Sequence, residues 1–374
     1  MALAVWSLTT LVAPIAGPLL GGYISDNYVW PWIFLINVPV GAFCVLVCWN
    51  GLKDQETPTR KLPIDRAGLL LLCIWVGALQ IMLDKGKDLD WFNSNVIRVL
   101  FVVTVIALAA WLIWELTEEH PIVDLRLFSS RSFALGTIAF CLGYAVFFGN
   151  LVLMPLWLQS FLGYTATWAG LVSAPSGVTA VLTSLFIGPL MRRFDPRVLA
   201  AAAFGCYASS YFMRAGLTSD ASFLAFTAPQ LVQGFGMGVF FVAMIAIIFD
   251  GLPQQEIPLA SGLSNFLRIT AGSFATSLTT TLWDRREALH QSHLSEAITV
   301  YAPSYQQSLA QLHQLGFTDN SAAGVLTQGL VEQSYLLSSL DLFYASAWVA
   351  IALIPLCFLV RRPAVHGAPV AAAD

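Results

Sequence analysis

Charged residues are scarce in this sequence. Only 11% of the 374 residues are charged, whereas 57% are hydrophobic. A soluble domain carries roughly 25% charged residues, so this chain has too few to cover a water-facing surface. Without a basic face or stripe it is not expected to bind nucleic acid, and its apolar content excludes a disordered chain. The apolar runs are continuous rather than alternating, which predicts an all-α protein that crosses a membrane repeatedly.

Short motifs of common enzyme classes are also missing. The sequence contains no GxxxxGK[ST] phosphate loop, no HExxH and no GxSxG. We therefore predict no enzyme activity, no catalytic residue and no cofactor, and an ion gradient rather than ATP as the energy source for any transport. His290, His293 and His313 share one polar stretch, but no cysteine or carboxylate framework completes a metal site around them, so no metal is predicted.

Ten apolar runs are long enough to cross a bilayer, which needs about 20 residues per helix. A polar stretch at 284–340, rich in Gln, Ser and His, separates the last two runs, and its spacing predicts a partly helical segment. The ten runs are 2–23, 30–50, 66–84, 96–115, 133–156, 167–190, 198–216, 222–249, 259–283 and 341–360.

Lysine and arginine are distributed unevenly between alternate loops. One side holds 11 of them and the other 6, with Arg268 left inside a span, out of 18 in all. Because cytoplasmic loops carry the excess, both termini are predicted to be cytoplasmic and 284–340 to be external. The smaller, external set is Lys85, Lys87, Arg98, Arg214, Arg285 and Arg286.

Among the candidate functional residues, Arg268 has the clearest signal in the sequence. It lies about nine residues into its run, about 14 Å deep at 1.5 Å per residue. A charge near the bilayer centre costs at least about 2.5–3.5 kcal/mol, so Arg268 should face the bundle interior or a water-filled cavity. It could be a structural residue bonded to a facing carbonyl, or a cavity charge that helps to gate substrate or protons. Small and polar residues lie on or beside its face: Ser261, Ser264, Asn265 and Gly272.

Two amides and one aromatic residue complete the set of cavity candidates. Gln230 and Gln233 lie in an apolar run, and their amides should contact polar groups, either in a cavity or on another helix. Tyr144 belongs to an aromatic group in the fifth run whose usual role is packing or lipid contact. A wall of aromatic and amide groups would nevertheless suit bulky apolar ligands, because ligand sites are mostly apolar with a few orienting polar groups.

The first run contains Ala13-Pro14-Ile15-Ala16-Gly17-Pro18-Leu19-Leu20-Gly21-Gly22. Its small residues four apart allow a close helix approach, and each proline removes a backbone donor. The stretch resembles the antiporter motif GxxxGPxxGG of major facilitator drug–proton exporters, with Ala13 in place of the first glycine. The candidate motif residues are Pro14, Gly17, Pro18, Gly21 and Gly22.

Five further segments resemble the fourteen-helix EmrB/QacA-type branch of those exporters, closest to the Emr-type inner-membrane pump subunit. They are LGGYISDNYVWPWIFLINVPVG (20–41), LQIMLDKGKDLDWF (79–92), HPIVDLRLFSSRSF (120–133), GYTATWAGLVSAP (163–175) and ASGLSNFLRITAGSFATSLTTTLWDRRE (260–287).

This resemblance implies a major facilitator fold of about ten transmembrane helices, with an incomplete N-terminal bundle and a complete C-terminal bundle. The first four helices of a full member would be missing, and the chain carries no Lys or Arg before Lys53. The start is therefore either a genuine N-terminus or the middle of a longer protein. The implied segments are 1–50 (two helices of the first bundle), 51–132 (linker helices and cytoplasmic loops), 133–362 (a six-helix bundle with the 284–340 loop) and 363–374 (a cytoplasmic tail).

The resemblance also implies a function. It is multidrug efflux by proton-coupled antiport with alternating access, in the bacterial inner membrane. Lipophilic or cationic small molecules and protons would be the transported species. A periplasmic adaptor and, through it, an outer-membrane channel would be the partners. The alternative is a truncated membrane fragment of such an exporter that does not transport.

Overall fold

The computed structural model describes residues 17, 19–53, 65–118, 121–299 and 301–360. Pro14 and Pro18 of the motif, and the segment 363–374, lie outside the described residues. The α-helices of these ranges are α1 (19–27), α2 (Trp32–Leu35), α3 (Asn37–Leu52), α4 (Arg66–Gly86), α5 (Asn95–Thr117), α6 (Arg131–Phe161), α7 (Ala166–Arg193), α8 (Pro196–Ala215), α9 (Phe223–Ile248), α10 (Ile257–Ala297), α11 (Pro303–Gln314) and α12 (Asp319–Leu359).

Side-chain caps and left-handed glycines set the ends of several helices. Asp65 accepts a hydrogen bond from the Gly68 amide at 2.9 Å at the start of α4, and Asp195 does the same for the Arg197 amide at 3.0 Å at the start of α8. Such caps satisfy amide donors that have no partner inside the helix. Gly163, at φ +67°, ends the turn after α6, a conformation that favours glycine.

Seven helical segments within the described ranges are long and apolar enough to cross a membrane. They are Trp32–Gly51, which joins α2 and α3, together with α4, α5, α6, α7, α9 and α12. Helices α8 and α10 are more polar: α8 carries Arg197 and Arg214, and α10 carries Arg268 and several charged residues from Asp284 onwards. The sequence predicts that both span the membrane as well, and in the structure α8 packs along α9 and α12, and α10 packs along α6 and α12. The prediction of an all-α, multi-pass membrane protein is confirmed.

Glycines let the helices of the C-terminal bundle (α6–α10 and α12) approach closely. A Cβ at Gly234 of α9 would overlap with the Ser176 carbonyl oxygen of α7, and one at Gly238 would lie 2.7 Å from the Ala180 carbonyl oxygen. Small residues in such contacts are typical of helix packing in membranes. On its other side, α9 packs aromatic rings against α6 and α8, with Phe240 5.6 Å from both Phe140 and Phe204.

The hairpin of α4 and α5 packs against α10. Trp75 of α4 packs 5.9 Å from Phe266 of α10 between ring centroids, and the Ser277 hydroxyl donates to the Leu83 carbonyl oxygen at 2.8 Å. Lys87 and Asp284 form an ion pair of 2.8 Å near one end of this contact. The α4–α5 hairpin is therefore joined to the C-terminal bundle through α10.

The structure finds more helix at 284–340 than the sequence predicts. Helix α10 continues to Ala297 and α12 starts at Asp319, with the short α11 between them. Each of the two long helices has 41 residues, or about 61 Å at 1.5 Å per residue, whereas a bilayer core is about 30 Å thick. Their polar ends therefore project from the membrane. Asp341 holds them together there, because Arg286 and His290 both contact its Oδ2, at 2.6 and 2.8 Å.

Candidate functional site

Three aromatic rings surround the guanidinium of Arg268. Its Cζ lies 4.4 Å from the ring centroid of Tyr144 and 5.7 Å from those of Phe140 and Phe241. The first two rings belong to α6 and the third to α9. A cation over an aromatic face gains roughly 0.5–2 kcal/mol, most when water is excluded. We call Arg268 with these three rings the Arg268 cage.

An amide orients the guanidinium within the cage. Arg268 Nε donates to Asn265 Oδ1 at 3.4 Å, and Asn265 Nδ2 donates to the Ser261 carbonyl oxygen at 2.9 Å. The second bond fixes which end of the amide faces Arg268. In the described part of the chain, no carboxylate pairs with this arginine. Arg268 is only partly buried, so the cage holds a cation that no described anion neutralises.

A glycine of α10, one turn after Arg268, makes room for Tyr144. A Cβ at Gly272 would lie 2.8 Å from Tyr144 Cε1, closer than side-chain atoms normally approach. The absence of a side chain at Gly272 lets the Tyr144 ring pack against α10 and over Arg268. The structure therefore brings Arg268, Asn265 and Tyr144 together.

Gln230 and Gln233 lie elsewhere, around a second arginine. Their Oε1 atoms both accept hydrogen bonds from Arg214 Nη2, at 2.9 Å for Gln230. Arg214 is 1% exposed, and its Cζ lies 5.5 Å from the Tyr211 ring and 5.8 Å from the Phe343 ring. We call Arg214 with the two glutamines the Arg214 cluster.

The sequence-based placement of Arg214 in an external loop is wrong. Helix α8 extends to Ala215, and its last turn is covered by α9 and α12. A cation at the end of a span can lie either at the membrane–water interface or against another helix. Its position in the sequence does not distinguish the two. Gln230 and Gln233, one turn apart in an apolar helix, were the available signal, since two buried amides need a polar partner.

The described part of the motif region contacts α7. A Cβ at Gly22 would overlap with the Ala166 carbonyl oxygen, whereas one at Gly17 or Gly21 would meet nothing within 4 Å. Just beyond, Asp26 accepts hydrogen bonds from the Thr167 amide at 2.7 Å and the Ala166 amide at 3.2 Å. A carboxylate on the first amides of a helix is favoured by the helix dipole. We call this contact the α1–α7 contact.

The same interactions change the acidity of Asp26. Hydrogen bonds from the Thr167 side chain and from the Thr167 amide lower the pKa of this carboxyl below its ordinary value of 3.8. Asp26 is exposed and lies beyond the apolar part of α1, so its charged form prevails at neutral pH. The α1–α7 contact is therefore made by an ionised carboxylate.

These features define a multi-pass helical membrane protein with two arginines inside its C-terminal bundle. Residues 1–276 match the family model described as Major Facilitator Superfamily. The multidrug export protein EmrB of Escherichia coli (strain K12) is 45% identical over 364 residues, which cover 97% of this chain and 71% of that protein. The fatty acid resistance protein FarB of Neisseria gonorrhoeae is 41% identical over 97% of this chain and 72% of its own length.

A solved structure has a more distant likeness. A bacterial homologue of the human lysosomal transporter Spinster, inward-facing and occupied, aligns with 96% of this chain and 84% of its own, at a TM-score of 0.46 and 13% identity. The sequence relatives carry the assignment. The chain belongs to the Major Facilitator Superfamily and, within it, to the EmrB-type multidrug efflux transporters.

Proposed function

We propose that the chain takes part in export of lipophilic small molecules across the bacterial inner membrane, by proton-coupled antiport with alternating access. The observation that carries this proposal is the Arg268 cage, a partly exposed cation and three aromatic rings within the C-terminal bundle. Mostly apolar walls with a few orienting polar groups suit small-molecule binding. The names of the relatives, multidrug export and fatty acid resistance, support an amphipathic substrate.

The charge of the cage narrows the substrate class. The sequence resemblance implies lipophilic or cationic compounds, but a cationic group 4 Å from Arg268 would be repelled by about 4 kcal/mol at an effective dielectric constant of 20. A carboxylate at the same place would be attracted by a similar amount, and the guanidinium offers it two parallel donors. We therefore favour neutral and acidic lipophilic compounds at this site.

The α1–α7 contact supports alternating access. It joins a helix of the first bundle to a helix of the second near one end of both. In transporters that work by rocking two bundles, contacts at one side close that side while the other is open. We propose that the Asp26 contact closes the external side, and that it breaks when this side opens.

The projecting ends of α10 and α12, with α11, supply a surface for the partners that the family resemblance implies. A cavity of about 390 Å³ lies between them, lined among others by Gln291, Tyr305 and Leu330. We propose that a periplasmic adaptor docks on this external hairpin and connects the transporter to an outer-membrane channel. Deletion of α11 should then abolish co-purification of the adaptor while leaving membrane insertion intact, and retained co-purification would contradict the docking site.

The transport proposal is tested by accumulation assays in a bacterial strain that lacks its own exporters. Cells that express the chain should accumulate less of a fluorescent fatty acid, and loss of the proton gradient should remove the difference. Arg268→Gln should restore accumulation at equal membrane abundance, whereas Arg285→Gln, which changes an exposed arginine of the same helix, should behave as wild type.

Three outcomes would contradict the proposal in different ways. Wild-type efflux by Arg268→Gln would remove the cage from the substrate path. Absence of efflux by the chain itself, with normal insertion, would favour the alternative of a non-transporting membrane protein. Preference for ethidium, a cation, over the fatty acid would contradict the substrate class.

A further inference from the structure

A groove of about 560 Å³ lies between the linker helix α4 and the pair α6 and α10. Its walls are apolar side chains from all three helices, among them Leu79 of α4, Leu142 of α6, and Leu267 and Phe274 of α10. Because the linker hairpin touches α10 through Trp75 and Phe266, the groove is a space at the junction of the linker and the C-terminal bundle.

The groove is separate from the Arg268 cage. Phe140 and Tyr144 of α6 face Arg268, whereas Ile138 and Leu142 of the same helix face the groove. Ile138 is 45% exposed and Leu142 is 44% exposed. The groove is therefore open on the side of α6 that faces away from the Arg268 cage.

One polar group in the groove has no partner. Thr137 lines its wall and is 1% exposed, and its Oγ1 makes no hydrogen bond to any described residue. A helical threonine usually donates to the carbonyl one turn earlier, and a buried hydroxyl left unpaired is unfavourable. A ligand with a polar acceptor near the end of an apolar chain would satisfy it.

The depth of Thr137 matches the chemistry of a phospholipid. Helix α6 has 31 residues, or about 46 Å, against a hydrocarbon core of about 30 Å, which leaves about 8 Å outside the core at each end. Thr137 lies six residues after Arg131, about 9 Å along the helix axis. Its hydroxyl is therefore at the edge of the hydrocarbon core, where the polar interface begins and ester carbonyls follow the acyl chains.

We propose that this groove binds an acyl chain of a membrane phospholipid, with the Thr137 hydroxyl donating to the ester carbonyl oxygen. The chain lies along α6 from Thr137 towards Ala145, against Leu267 and Phe274 of α10. Bound in this way, the lipid fills the junction between the linker hairpin and the bundle. The site is independent of the transport proposal, because it requires only that the helices span a bilayer.

The inference is tested by native mass spectrometry of the full chain, purified in mild detergent and incubated with phosphatidylethanolamine. Wild type should retain one phospholipid per chain. Leu142→Trp, which fills the groove from its exposed rim, should remove most of this adduct. Leu182→Trp is the matched control, because Leu182 is 52% exposed on α7 and lies outside the groove, and it should retain the adduct.

Thr137→Val tests the hydrogen bond with a side chain of almost the same shape. Loss of one hydrogen bond should weaken retention about fivefold at unchanged thermal stability. Equal retention in Leu142→Trp and wild type would overturn the proposal. So would labelling of α6 by a diazirine-bearing fatty acid, but not by a phospholipid with the same acyl chain, because the occupant would then be a free fatty acid.

Discussion

The Arg214 cluster allows a quantitative test of the packing inside the bundle. Gln233→Leu keeps a similar volume but removes one of the two amide oxygens that accept from Arg214 Nη2. A hydrogen bond to a charged group contributes about 1.5–3 kcal/mol, and a guanidinium that is 1% exposed cannot recover the loss from water. We therefore expect Gln233→Leu to destabilise the protein by about 2 kcal/mol.

In a variant without the Arg214 charge, loss of the Gln233 amide should destabilise the protein less. Arg214→Met leaves both amides without their donor but removes the buried cation, which is the costlier group to leave unpaired. The double variant Arg214→Met/Gln233→Leu should therefore be more stable than the sum of the two single effects predicts. The expected coupling is at least about 1 kcal/mol, as for residues in one hydrogen-bonded network.

Unfolding in detergent micelles by increasing sodium dodecyl sulfate measures these differences, with tryptophan fluorescence as the signal. Gln328→Leu is a suitable control, because Gln328 is exposed on α12 and its side-chain amide donates to Glu332 of the same helix at 3.0 Å. Additive single effects, or a cost below about 0.5 kcal/mol for Gln233→Leu, would refute the reasoning, since a surface substitution costs that little.

Two further predictions concern the other contacts. Gly272→Val should abolish efflux because its side chain displaces Tyr144, whereas Gly262→Val, where a Cβ meets nothing within 4 Å, should export normally in accumulation assays; equal activity would contradict the role of Gly272. Asp26→Asn should speed amide hydrogen exchange at 166–168, read by mass spectrometry, and unchanged exchange would count against the α1–α7 contact. The lowered pKa of Asp26 means that this contact stabilises the structure fully above the ordinary pKa of 3.8 and is lost as pH falls through the lowered value.

Seven of the ten predicted runs correspond to helices long and apolar enough to cross a membrane, because about 20 apolar residues in a row have few other uses in a protein. The first run, 2–23, lies mostly outside the described residues. The sequence predicts less of the helices that leave the membrane. Residues 284–297 and 319–340 are helical, but their surface contacts water, so their composition resembles that of a loop. Hydropathy detects the part of a helix that contacts lipid, and the polar continuation of α10 and α12 has no such signal.

The candidate site was predictable only in part. Arg268 stands out because a charge in an apolar run is costly, and helical spacing places Asn265 one turn away. The rings of Phe140 and Phe241 come from helices distant in sequence, so the periodicity of α10 carries no information about them. Arg214 was misplaced because the end of an apolar run does not distinguish an interface from a helix contact.

The two arginines of the C-terminal bundle have different surroundings, and these predict a structural role for Arg214 and a functional role for Arg268. Arg214 is enclosed, and two amide oxygens from one neighbouring helix accept its Nη2 donor. Such an arrangement fixes α8 against α9 and leaves little room for a ligand. Arg268 is only partly buried, bonded to an amide of its own helix and covered by rings from α6 and α9. A cation held by rings keeps donors available for an incoming anion, and the helices that supply those rings can move apart without breaking a network of hydrogen bonds. Substitution at Arg268 should therefore change transport more than stability, and substitution in the Arg214 cluster should change stability more than transport.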